Sequence, residues 1–206
     1  MTRITQDWDP MEYAPEMEQI DSTILDEVLR RREEYDYNRY TAADVRRALD
    51  ADHRTPEDFA ALLSPAAAPF LEEMAQKAQL ETRKHFGNSV YVFTPLYISN
   101  YCENYCVYCG FNCHNKIRRA KLDMDGIRKE MEAIAQTGLE EILILTGESR
   151  KMSDVDYIAD ACRIAREYFK MVGVEVYPMN SDEYRKLREA GADYVTVFQE
   201  TYNSEK

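Results

Sequence analysis

SVYVFTPLYISNYCENYCVYCGF, residues 89–111, begins with β-branched and aromatic residues and ends in three cysteines, Cys102, Cys106 and Cys109, spaced C-x3-C-x2-C. The first half reads as a strand that stops just before the cysteines. The segments downstream decide which kind of sheet this strand belongs to. Ile127, Met131, Ile134 and Ala135 share one helical face and predict a helix over 123–137, closed by Gly138. EILIL (141–145) is a short, nearly all-apolar strand of the type buried on both faces in a parallel sheet. Ser153 with Asp156 predicts the cap of a helix carrying Val155, Ile158, Cys162, Ala165 and Phe169. VGVEVYP is a third strand, Ser181 opens a helix ending at Gly191, and DYVTVF is a fourth strand.

Strand and helix thus alternate with short joints, which implies a parallel sheet with helices outside it. A doubly wound open sheet would place a glycine-rich phosphate loop after the first strand. Here a cysteine loop occupies that position. In a (β/α)8 barrel, chemistry sits at the carboxyl ends of the strands. Those ends carry Cys102–Cys109, Thr146-Gly147-Glu148, Asn180 and Gln199-Glu200, all able to bind metal or ligand. The expected fold is therefore α/β, a TIM-type barrel.

Upstream, residues 1–88 read as a helical extension and 89–206 as the barrel domain. Ile20, Ile24, Leu25, Val28 and Leu29 recur at helical spacing. Thr41 with Asp44 resembles a capping pair, and Thr55-Pro56-Glu57-Asp58 supplies an N-cap, a first-turn proline and first-turn acids. A longer helix after Ser64-Pro65 is expected to bury Leu71, Met74, Ala75 and Ala78 and to stop near Gly87. The barrel is expected to be partial. A closed one takes eight strands and typically about 250 residues, whereas four β/α units are found in this 206-residue chain. Its first and fourth strands would be open edges. A truncated product, or a second polypeptide completing the barrel, is the expectation.

Composition narrows the classes further. Only five cysteines occur and three are clustered, which fits a reducing, cytoplasmic setting better than a secreted disulfide framework. The chain has no basic start followed by an apolar run and no apolar stretch long enough to span a bilayer, so neither export nor membrane insertion is expected. A formal net charge of −12 argues against a broad nucleic-acid contact.

Taken by spacing alone, the cysteine loop leaves several readings open. Three thiolates can hold three irons of a [4Fe–4S] cubane and leave the fourth iron with an open position. A ferredoxin-like electron-transfer cluster would add Cys113 as fourth ligand. A Cys3His zinc site would add His114, although zinc prefers two paired ligand units set further apart.

C-x3-C-x-Tyr-C after a first barrel strand resembles the signature of the radical S-adenosylmethionine (radical SAM) superfamily. That resemblance implies a [4Fe–4S] cluster held by Cys102, Cys106 and Cys109, whose unligated iron chelates the amino and carboxylate groups of S-adenosylmethionine (SAM). It places Tyr108 near the adenine. The superfamily's Gly-Gly-Glu-like motif at the end of the second strand is matched by Thr146-Gly147-Glu148, with Thr in place of the first Gly. Gly147 and Glu148 would then receive the methionine ammonium, a charge-assisted contact.

TAADVRRALD, LLSPAAAPFLEEMAQKAQ, FGNSVYVFTPLYISNYC, CGF-x-C-x-NKI-x-R and VFQETYN resemble, more narrowly, the 2-iminoacetate synthases, tyrosine lyases of thiamine thiazole biosynthesis. The likeness runs from about residue 41 to the last residue. A sister group cleaves tyrosine during [FeFe]-hydrogenase maturation, and Gly110-Phe111 looks more like the thiazole enzymes. The implied reaction begins when an external one-electron donor of flavodoxin or ferredoxin type reduces the cluster. SAM is cleaved, hydrogen is taken from the amino group of L-tyrosine, and the Cα–Cβ bond breaks to give 2-iminoacetate and p-cresol. The imine passes to a thiazole synthase partner. Gln199 and Glu200 are implied cofactor contacts, and Tyr97 and Asn100 line the expected substrate pocket. An iron–sulfur binding module without catalysis is the non-enzymatic alternative.

Other residues read as structural. Cys162 lies on an apolar helical face, as a small core residue. Cys113 is a bystander and Glu103 a solvated acid. His53 and His85 are surface or capping groups, and Lys116, Arg118 and Arg119 form a solvated basic run.

Overall fold

The computed structural model describes residues 15–19 and 22–198. Among these, 22–90 form one compact unit, and 15–19 together with 91–198 form the other.

The first unit is helical, with α1 (Ile24–Glu34), α2 (Ala42–Asp50), α3 (Pro56–Leu62) and α4 (Leu71–Phe86). Its helices start where the sequence supplies caps. Thr41 Oγ1 accepts from the Asp44 N–H at 3.4 Å, while the Asp44 carboxylate accepts from the Thr41 N–H at 2.9 Å. The exchange satisfies two donors that a helix start leaves open. Thr55 and Asp58 repeat it ahead of α3, with Pro56 at the first helical position. Past Ser64 the chain first takes a 3₁₀ helix, Pro65–Phe70, and becomes α-helical only at Leu71. Pro69 lacks the N–H that an α-helix begun at Pro65 would need there. Gly87, at φ 65°, ends α4 in a conformation that favours glycine.

Burial in this unit departs from the sequence expectation. Its core centres on Val45, Leu49 and Ala67, with Leu62, Ala66, Phe70 and Met74 packed against them, and Tyr40, Ala48 and Ala61 are also buried. Neither α1 nor α4 has a buried residue. Leu71, Ala75 and Ala78, expected inside, are not buried; of that set only Met74 reaches the core. Ile24 and Leu25 of α1 are exposed, and Ile20 lies outside the described residues.

The second unit is the β/α array. Its strands are β1 (Thr94–Ser99), β2 (Glu141–Thr146), β3 (Met171–Glu175) and β4 (Tyr194–Thr196), and its helices α5 (Met124–Ala135), α6 (Val155–Ala165) and α7 (Ser181–Glu189). All pairings are parallel, in the order β1-β2-β3-β4. Residues 89–93, expected in the first strand, lie outside it and are exposed, because pairing begins only at Thr94 opposite Ile142. Helix α6 is capped by Asp154, whose carboxylate accepts from the Tyr157 N–H at 2.8 Å, and not by Ser153, which is buried. Asn180 caps α7.

Alternate residues of the strands, Leu96 and Ile98, Ile142 and Ile144, Val172 and Val174, share one core with Ile127 and Met131 of α5, Ile158 of α6 and Leu187 of α7. Same-parity positions point to one face of a sheet, so the three helices cover a single side. An open doubly wound sheet has helices on both sides and reverses its strand order at a switch point. Sequential order with one-sided helices is the geometry of a barrel segment, and the sheet is unclosed. On the other face Tyr194 crosses Gly173, where a Cβ would lie 2.3 Å from its ring, and donates its hydroxyl to buried Glu141 at 2.7 Å. Burial, then that hydrogen bond, push the Tyr194 phenol up to about 12.

Candidate cofactor site

Two segments meet at the carboxyl end of the sheet, the cysteine loop after β1 and the Gly147-Glu148-Ser149 turn after β2. The loop is tied into shape through its own backbone. The Cys109 N–H donates to the Cys106 carbonyl and the Asn112 N–H to that of Cys109, both at 3.1 Å. Asn112 and Asn115 add side-chain bonds to the Cys106, Cys109 and Gly110 carbonyls. Arg119 closes the loop, with its guanidinium on the carbonyls of Asn100, Phe111 and Asn112 at 2.7–2.8 Å. The expected solvated basic run is therefore corrected at Arg119, which is half-buried and fixes both ends of the loop.

None of these ties uses a cysteine sulfur. Cys102, Cys106, Cys109 and Cys113 are all half-buried. Among the described residues, no three His, Cys, Asp or Glu side chains are gathered as ligands of one ion would be. The ligands of a cubane each bind a different iron and need not converge on one point. Cys162 is fully buried in the helix-side core, and burial pushes its thiol up to about 12, which keeps it inert.

The turn after β2 is pressed against the loop. The Gly147 N–H donates to the Ser99 carbonyl at 2.9 Å, and a Cβ on Gly147 would lie 2.2 Å from the Tyr101 carbonyl oxygen. Only glycine permits that approach. Next to it, Glu148 accepts a hydrogen bond from Asn104 of the loop. Glu148 is exposed as a residue, yet partial desolvation of its carboxyl raises its pKa above the ordinary value. The Asn104 hydrogen bond and the Arg150 charge oppose that rise, and the Glu103 charge adds to it. Thr146 Oγ1, at the end of β2, is buried without a hydrogen-bond partner among the described residues.

The other residues singled out from sequence divide between the site and the scaffold. Tyr108 is two-thirds exposed. Tyr97 is half exposed and meets Phe111 edge-on, ring centroids 5.3 Å apart. The Asn100 side chain donates to the Arg118 carbonyl and accepts from the Ala120 N–H, so it braces the loop. Asn180 turns to the chain itself, holding the Glu16 carbonyl and the Glu18 N–H at 2.9 Å. His114 is exposed, near Tyr105. Gln199 and Glu200 lie outside the described residues. Glu103, read as a solvated acid, instead accepts from the Ser149 hydroxyl at 2.7 Å and donates its N–H to the Glu148 carbonyl at 2.9 Å. The sequence hinted at this only through the polar pair Glu103-Asn104 set between two cysteines.

A family profile for the Radical SAM superfamily matches residues 96–206, which takes in the loop, the turn and all of the sheet except Thr94 and Pro95 at the start of β1. The chain belongs to the radical SAM superfamily. Enzymes of this superfamily use a [4Fe–4S] cluster with SAM. The 2-iminoacetate synthase of Escherichia coli (strain K12) is 46% identical over 166 residues, 81% of this chain and 44% of that protein. The crystal structure of HydG, a maturase of the [FeFe]-hydrogenase, superposes with a TM-score of 0.79 at 29% identity, covering 88% of this chain and 42% of HydG. Methylornithine synthase (PylB) gives 0.57 at 26% identity, covering 82% and 47%. The radical SAM chain thus spans less than half the length of these relatives. Among its described residues, no helix is long and apolar enough to cross a membrane.

Proposed function

We propose that Cys102, Cys106 and Cys109 hold the [4Fe–4S] cluster, that Glu148 receives the ammonium of SAM, and that the activity served is cleavage of L-tyrosine to 2-iminoacetate and p-cresol. The observation that carries the assignment is the contact between the two segments. A loop bearing three partly exposed cysteines is packed on a glycine-glutamate turn at the carboxyl end of a parallel sheet. The donor set fits the group, since soft thiolates suit iron–sulfur clusters and an ionised carboxylate suits an ammonium. Thr146 Oγ1 adds a buried hydroxyl beside the turn that has no partner among the described residues. When bound, the cluster and SAM supply reductively generated radical chemistry, and this chain's residues bind, orient and shield it. Tyr108, at the lip of the loop, serves the adenine. Tyr97, on the face of the sheet away from the helices, serves the substrate side together with Phe111. Gln199 and Glu200 remain proposed cofactor contacts.

Tyrosine as substrate, thiazole synthase as recipient of the imine and a flavodoxin- or ferredoxin-type electron donor are supported by the 46% identity to 2-iminoacetate synthase. The second reading, a hydrogenase-maturase relative, draws on the TM-score of 0.79 to HydG. Identity favours the first, because 46% stands well above 29% over a similar share of the chain. The test is anaerobic reconstitution with iron and sulfide, followed by reductant, SAM and tyrosine. Appearance of p-cresol with 5′-deoxyadenosine bears out the lyase. A cluster that yields neither product favours an iron–sulfur binding module, and failure to load any cluster sinks both. Cys113→Ala should leave iron content unchanged, and its collapse would favour a fourth cysteine ligand.

A further inference from the structure

The two residues Glu103 and Asn104, between Cys102 and Cys106, do more than space the ligands. They make three contacts with the turn after β2: Glu103 N–H to the Glu148 carbonyl, Ser149 hydroxyl to the Glu103 carboxylate, and Asn104 amide to the Glu148 carboxylate. A fourth bond, from the Cys113 N–H to the Asn104 carbonyl at 2.8 Å, anchors Asn104 to the far side of the cysteine loop. Gly147 lets the two backbones come together beneath this clasp. The Glu148 carboxylate is therefore held partly by a side chain flanked on both sides by cysteines. A carboxylate has several acceptor positions, so one amide bond fixes its direction and leaves others for an incoming ammonium.

We propose that Asn104 is a positioning residue that aims the Glu148 carboxylate at the amino group of SAM, with Glu103 and Ser149 locking the clasp. The inference rests on the radical SAM reading of Glu148 and goes beyond it by assigning Asn104, Glu103 and Ser149. Asn104 touches no reacting atom and acts through Glu148 alone.

The test compares the reconstituted chain with Asn104→Ala, Asn104→Asp, Glu148→Gln and the Asn104→Ala/Glu148→Gln pair. Iron and sulfide content, SAM affinity and the change that SAM causes in the electron paramagnetic resonance of the reduced cluster are read for each. Asn104→Ala should load the parent amount of cluster, bind SAM about tenfold more weakly and recover the parent spectrum at saturating SAM. Asn104→Asp, of equal size, sets a like charge against Glu148 and should weaken binding at least as much. In the Glu148→Gln background, Asn104→Ala should add less than about twofold, because the two act as one unit. Parent-like affinity in both Asn104 variants, losses that multiply in the pair, or iron content falling in step with affinity would each overturn the proposal. If the parent itself loads cluster but its spectrum ignores SAM, the radical SAM reading of the site fails first, and the clasp with it.

Discussion

The helical unit and the β/α unit obey the same local rules but hold themselves together differently. In the helical unit, α2 and α3 begin on reciprocal caps, yet among the described residues only six apolar side chains are buried, three of them alanines, and no residue of α1 or α4 is fully buried. In the β/α unit, one contiguous core runs from Leu96 through the strands to Leu187. Caps decide where a helix starts; they do not decide that it packs. A fully buried branched side chain contributes about 1.5–3 kcal/mol relative to an exposed one, and the β/α unit collects that contribution repeatedly where the helical unit scarcely does. The proposed cofactor site belongs to the better packed region, as a site needing fixed geometry requires.

The sharpest way to break this contrast is a pair of truncations. Ile144→Ala, at a fully buried position of β2, should cost about 2–5 kcal/mol in urea unfolding. Leu71→Ala, at a position 62% exposed, should stay within about 0.5 kcal/mol. Equal losses would show that the helical unit depends on packing as heavily as the sheet does.

Within the β/α unit, two glycines should differ in the same way. Gly147→Ala drives a Cβ to 2.2 Å from a backbone oxygen that cannot move aside, so a cost of about 1–3 kcal/mol and loss of SAM binding are expected. Gly110→Ala meets nothing within 4 Å and should leave both thermal stability and iron loading near the parent. A tolerated Gly147→Ala would mean that loop and turn do not need their close approach.

Smaller effects test the caps. Thr41→Ala should lower the stability of the helical unit by about 1 kcal/mol, read from helical circular dichroism during thermal unfolding. The Thr41 hydroxyl and N–H, with Arg47, hold the Asp44 carboxyl down at about 2 against an ordinary 3.8. A depressed folded-state pKa contributes stability above the unfolded value that is lost as the carboxylate takes up its proton. Helical signal should therefore weaken as pH falls from about 4 toward 2, and Thr41→Ala should flatten that dependence. An unchanged acid profile in the variant would place the sensitivity elsewhere.

Much of the architecture was legible because its signals are local. Thr41-Asp44 and Thr55-Asp58 each lie within one helical turn, so their caps were readable without knowledge of the fold. EILIL read correctly as a strand buried on both faces, since Ile142 and Ile144 lie toward the helices while Leu143 and Leu145 are also buried. The strand at 89–99 was overextended because β propensity continues through Val90–Phe93 while the pairing partner does not. The cap of α6 was missed by one residue, as Ser153 and Asp154 both suit a helix start and only burial separates them. At the site, the cysteines and the Thr146-Gly147-Glu148 run were visible. Arg119 and Glu103 were misread as solvated because their partners are carbonyls and hydroxyls, which leave no pattern in sequence.

By itself, then, the sequence determined which residues could ligate a metal, where helices begin and that strand alternates with helix. These depend on side-chain chemistry and on partners three or four residues away. Only the tertiary structure decided how far each strand extends, which apolar residues are inside, and that Asn104 meets Glu148 across forty-four residues. Pairing and burial are supplied by distant chain, and no local preference encodes the distance at which two loops stop against a single glycine.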